Sequence, residues 1–196
     1  MDTMELKLFP LPLVSYPTKR VPLHIFEDRY KTLISESIKY KSEFGIIYHS
    51  AEGLALKGCS VKVTEVIEEY PDGRYDIITT GQKIFKLENH YMVKDIHVGE
   101  ISFQEDNESL SEIEFEGLKE KYLKLLIALG ETSHIEYHIS KNSIFELLES
   151  IQLPVVLEQQ IISTESERER AQILESFFKA ALKNSSGKTN QKKFTS

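Results

Sequence analysis

The prevailing period of hydrophobic and polar positions changes near residue 105. Before that point a two-residue alternation prevails, and after it apolar residues recur at three and four. Leu6 and Leu8 alternate with charge over 5–9 and predict a first strand. Pro10, Pro12, Pro17 and Pro22 keep the next stretch extended, because proline donates no backbone hydrogen bond and biases its predecessor away from helix. A helix is predicted over 27–40. Phe26, Tyr30, Leu33, Ile34 and Ile38 fall on one face, while Glu27 and Asp28 place negative charge in the first turn, where the helix dipole favours it.

The clearest strand signal follows. Phe44 to Tyr48 is an apolar run of strand length, and 54–58 is a connection or short strand. Val61, Val63, Val66 and Ile67 lead to Pro71-Asp72-Gly73-Arg74, and Tyr75, Ile77 and Ile78 lead away from it. Proline presets the turn dihedral and glycine accepts positive φ, so this pattern predicts a hairpin. Gly81 suggests a bulge or bend before Ile84 to Leu87, and 91–103 alternates again. Several strands at short spacing with one early helix predict a small, partly closed barrel.

Beyond the acid-rich 104–116 segment, expected to be a solvated linker running into a helix start, the stripes are helical. One holds Leu118, Tyr122, Leu125, Leu126 and Leu129 and stops at Gly130. Capping-box patterns begin at Ser143 and Thr164, and Pro154 suits the first turn of a short helix. The expected organisation is α+β, with a β-rich lobe at 1–104, a helical lobe at 105–183 and a disordered polar tail at 184–196.

Specific blocks carry a family resemblance. Leu8-Phe9-Pro10-Leu11-Pro12-Leu13-Val14, then Tyr16-Pro17, then Pro22-Leu23-His24-Ile25-Phe26-Glu27 and Arg29-Tyr30 resemble the opening of the Lon protease N-terminal substrate-binding domain. Phe44-Gly45-Ile46, Gly58, Pro71 to Tyr75 and Gly81 to Phe85 sit where that family places its β-lobe landmarks. Thr18 departs from it, standing where the family usually has glycine. The resemblance spans about 5–183 and is sharpest at 8–30 and 71–75. It implies a PUA-like β pseudobarrel, a role in substrate recognition and a polypeptide or protein partner, in protein quality control. Lon also carries ATPase and serine-lysine peptidase modules after this domain. With no phosphate loop and only residues 184–196 left after the last predicted helix, the chain is expected to be a stand-alone recognition module without enzymatic activity or cofactor.

Charge and chemistry narrow the rest. Net charge is -7, which argues against general nucleic-acid binding, although PUA-like barrels include RNA binders and that alternative stays open. One cysteine excludes an internal disulfide, and neither a signal peptide nor a membrane span is evident, so a cytoplasmic location is expected. A small metallo- or thiol-hydrolase is the third reading. His134 and His138 could share a helical face and hold zinc, but Ile135 stands where a zinc-protease motif has glutamate, so no metal is assigned. Cys59 lacks a local base and reads as a small buried hydrophobe. His24 and Glu27 could pair as acid and base, yet helix initiation accounts for Glu27. The expected polypeptide-binding residues are His24, Phe26, Arg29 and Tyr30, at the junction of extended segment and helix, where side chains are least consumed by packing. The competing expectation puts Phe26 and Tyr30 in the core.

Overall fold

A computed structural model describes residues 3–191, with side chains as far as Asn184. It is an α+β structure with a six-stranded sheet. By contacts it divides into two units: the chain up to Glu105 together with Leu153–Ser163, and Asp106–Gln152 together with the residues from Thr164 on.

In the first unit the strands are β1 (Met4–Leu11), β2 (Arg20–Ile25), β3 (Phe44–Ser50), β4 (Gly53–Glu69), β5 (Tyr75–Val93) and β6 (Ile96–Phe103). Their order is β2-β5-β4-β3-β1-β6, and a further β5–β6 pairing closes five of them into a ring. The long β5 makes this possible. Tyr75 to Thr80 pairs with β2, and Phe85 to Val93 pairs with β6. Phe85 fills the ring interior beside Leu8, Ile47 and Ile101. A Cβ on Gly58 would meet its ring at 2.5 Å, so the strand must be bare there.

The predicted early helix is α1 (Asp28–Tyr40), with Glu27 as its N-cap. Tyr30, Leu33 and Ile34 bury against Phe9, Phe44 and Ile77. Phe26, expected on the same stripe, precedes the first helical turn and is 61% exposed. The hairpin at Pro71 to Arg74 forms as expected, with Tyr70 N–H donating to the Arg74 carbonyl at 2.9 Å. The 91–103 stretch is not one strand. It turns at Lys94 and Asp95, which both take positive φ without the usual glycine or asparagine cue.

Thr18 holds the turn that launches β2. Lys19 N–H donates to the Tyr16 carbonyl at 3.0 Å, and Pro17 and Thr18 occupy the two central positions. Thr18 has φ 71°, the left-handed region in which a β-branched residue is strained. Its hydroxyl is buried without a hydrogen-bond partner. The backbone thus keeps a glycine geometry without the glycine. Gly81 is held close to this turn, where a Cβ would meet the Tyr16 carbonyl oxygen at 1.9 Å.

The helix α5 (Val155–Ser163) follows Pro154 as predicted, but groups with the strands and not with the other helices. Lys19 donates to Glu158 at 2.6 Å, and Gln159 donates to the Lys57 carbonyl at 3.2 Å. In the second unit, α2 (Glu112–Ala128), α3 (Ile135–Ile139), α4 (Ile144–Leu148) and α6 (Glu167–Gln191) supply the helices. Tyr122, Leu125, Leu147, Leu174 and Phe178 are buried there.

Two expectations are corrected in this unit. The acidic segment runs into a helix start as expected, with Ser111 and Glu114 forming a capping box for α2, but it is more than a solvated linker, because Asp106 binds the buried Arg170 guanidinium through both oxygens. The cap of α6 is Ser166, whose hydroxyl accepts from Glu169 N–H at 3.2 Å, and not Thr164, whose carbonyl serves Arg170. The helix α6 is described as far as Gln191, and of the tail expected at 184–196 the residues 192–196 lie outside the described residues.

Candidate functional site

His24 lies on β2 directly opposite Asp76 of β5, so both side chains project from the same face. Its Nδ1 lies 2.6 Å from Asp76 Oδ1. The carboxylate can only accept, so Nδ1 is the donor. Tyr70 donates its hydroxyl to the other Asp76 oxygen, also at 2.6 Å. These two bonds, Tyr70's first, hold the Asp76 carboxyl below its usual pKa. The same bond pushes the Tyr70 phenol up to about 12.

Aromatic faces complete the cluster. The Phe26 ring stacks beside His24 at 6.0 Å between centroids, and Tyr70 presents an edge to His24 at 6.2 Å. The Arg74 guanidinium lies 4.7 Å from the Tyr70 ring centre and is held by Asp72 at 2.8 Å. Arg74 therefore covers one face of the tyrosine. Bonds to Asp76 fix the rings of His24 and Tyr70, while Phe26 meets solvent.

The four expected binding residues separate. His24 and Phe26 share this cluster. Arg29 turns away from it, donating to Glu27 at 2.9 Å and lining a cavity of about 330 Å³ with Val93, Lys94 and Ile96. Tyr30 does not belong on the surface: it is 4% exposed and stacks on Phe9 at 3.9 Å. Its burial follows from its place in the first full turn of α1, which faces the sheet.

Sequence reasoning missed Tyr70, Arg74 and Asp76. A signal existed, since a tight Pro-Asp-Gly turn brings Tyr70 beside Arg74. Strand register alone puts Asp76 opposite His24, and register between β2 and β5 is a long-range property.

The other candidates are accounted for by packing. His24 pairs with Asp76 and Glu27 with Arg29, so the suggested acid–base pair is not assembled. Cys59 is fully buried, and that burial pushes its thiol up to about 12, far from a nucleophilic thiolate. His134 precedes α3 in a left-handed conformation, so it shares no helical face with His138. His138 is buried, with Nδ1 2.7 Å from the Tyr122 hydroxyl. Desolvation lowers its pKa and favours the neutral ring. Among the described residues, no group of three or more His, Cys, Asp or Glu side chains is arranged to hold a metal. No helix among them is long and apolar enough to cross a membrane.

Comparison with known proteins places these features. Residues 5–184 match the family model of the ATP-dependent protease La (LON) substrate-binding domain. A Lon N-terminal domain protein from Xanthomonas campestris superposes with a TM-score of 0.68 at 22% identity, covering 88% of this chain and 98% of that one. The N-terminal domain of a Mycobacterium avium complex Lon protease superposes with a TM-score of 0.71 at 16% identity, covering 90% of this chain and 98% of that one.

Proposed function

Because the chain belongs to the family of ATP-dependent protease La (LON) substrate-binding domains, we propose that it is a polypeptide-binding module without catalytic activity, serving protein quality control in the cytoplasm. The observation that carries this reading is the Phe26–His24–Tyr70 cluster. It offers a solvent-facing aromatic, 61% exposed, beside two rings whose orientation is fixed by Asp76. Exposed rings held in place cost little further ordering on binding, and aromatic anchors dominate protein interfaces for that reason. Catalysis finds less support. The His24–Asp76 pair has no hydroxyl or thiol bonded to its remaining nitrogen among the described residues, and the Cys59 thiol is buried.

The test is a titration of the purified chain with one protein in two forms, native and permanently unfolded. Binding of the unfolded form alone is expected, and equal binding of both or of neither overturns the proposal. Casein or ATP turnover, abolished by a point change within this chain, would show that it is an enzyme.

A further inference from the structure

Arg29, Thr32, Leu33, Glu36 and Ser37 follow one another along a single ridge of α1, at the spacing that keeps helical residues in line, and Lys41 caps its C-terminal end. Three cavities lie against this ridge. The first, about 330 Å³, meets the second, about 580 Å³, at Lys7, Leu33 and Glu36. The second meets the third, about 370 Å³, at Ser37, Lys41 and Lys62. They form one trough beside the helix. Twelve residue steps from Arg29 to Lys41 make it about 18 Å long. An extended chain rises about 3.3 Å per residue, so five or six residues would fill it.

The trough is apolar below and basic above. Leu6, Leu33 and Val98 are buried in its floor, with Ile96 and Phe103 beside them. Lys7, Arg29, Lys41, Lys62, Lys83 and Lys94 outnumber the carboxylates along it, in a chain whose net charge is -7. Lys41 and Lys83 make no ion pair among the described residues; the Lys83 ammonium lies 5.4 Å from the Phe103 ring centre. The Lys7–Glu36 ion pair crosses the trough where the first two cavities meet, and Lys62 pairs with Glu43 at 3.4 Å further along it. The Lys7 and Glu36 side chains are about half exposed, at 48% and 46%, so solvent weakens their pair and an incoming carboxylate can displace Glu36 at little cost.

We propose that this trough binds an extended polypeptide segment of alternating acidic and apolar residues, with one of its carboxylates taking the place of Glu36 on Lys7. The alternation matches the site, because successive side chains of an extended chain point to opposite sides, one row to the floor and one to the lysines. The inference rests on the polypeptide-binding reading and adds a second contact surface, since the trough shares no lining residue with the Phe26 cluster.

Fluorescence anisotropy on the whole chain tests it, with a labelled six-residue peptide alternating aspartate and valine, and an analogue with asparagine for aspartate. The acidic peptide should bind at least about tenfold tighter at low salt, and the gap should narrow as salt is raised. Lys41→Ala and Lys83→Ala should each weaken it by about fivefold, while Glu36→Gln, which removes the internal competitor, should tighten it by about threefold. All three positions are surface side chains, and unchanged melting temperatures would confirm folding. Equal affinity for the two peptides, or Glu36→Gln binding no tighter than wild type, overturns the inference. If an unfolded protein still binds in that case, polypeptide recognition stands and only the trough is wrong. If neither peptide nor unfolded protein binds, both fall.

Discussion

Two histidines, one in each unit, show how the same side-chain chemistry serves different ends. His24 and His138 each bond a neighbour through Nδ1 and each touch aromatic rings. His138 is 5% exposed, and its partner Tyr122 is fully buried, so the rings around it fill a core. The His24 side chain is 47% exposed beside an exposed Phe26, so part of its aromatic neighbourhood remains open to a partner. An aromatic cluster is available for binding only where packing has not already used it.

Core disruption gives the largest expected effect. Tyr30→Ala should cost about 4 kcal/mol in chemical denaturation, since it empties a stacked site between α1 and Phe9. A loss under about 1 kcal/mol would return Tyr30 to the surface group. The histidine contrast comes next. His138→Ala should cost about 2 kcal/mol, because it empties a buried site and removes the hydrogen bond to the Tyr122 hydroxyl. His24→Ala should leave the melting temperature nearly unchanged. Equal losses in the two variants would break the comparison.

These residues also show what the sequence makes legible. Local signals located α1, the Pro71 to Arg74 hairpin, the Pro154 helix start and the Ser143 cap, whose hydroxyl accepts from Glu146 N–H. The same stripe that located α1 misassigned Phe26, because periodicity does not mark the first helical residue to within one position. One member of the cluster was out of reach for a different reason. Asp76 becomes a partner of His24 only through strand pairing across about fifty residues, and Arg170 reaches Asp106 across more than sixty. The Lys94–Asp95 turn was missed because residues other than glycine occupy its left-handed positions.

Smaller effects sharpen the contrast. Thr18→Gly should stabilise the protein by about 1 kcal/mol, by relieving left-handed strain and removing a buried hydroxyl without a partner just before β2. Destabilisation on calorimetry would show that the hydroxyl is satisfied after all. Asp76→Asn probes the hub of the exposed cluster. The Asp76 carboxyl sits below its ordinary pKa in the folded state, so its ionised form adds stability above the usual carboxylate range near 4, and that contribution is lost as pH falls through its lower folded value. The small stability gap between wild type and Asp76→Asn should therefore be present at pH 6 and close on acidification. A gap independent of pH would remove the carboxylate from the account.

The most direct test of the exposed cluster is the affinity of Phe26→Ala for a permanently unfolded polypeptide, measured beside its thermal stability. A loss of binding of about 1 kcal/mol or more with an unchanged melting temperature is predicted, as for an interface aromatic that packing has left free. Unchanged binding would contradict the account and place polypeptide recognition elsewhere on the molecule.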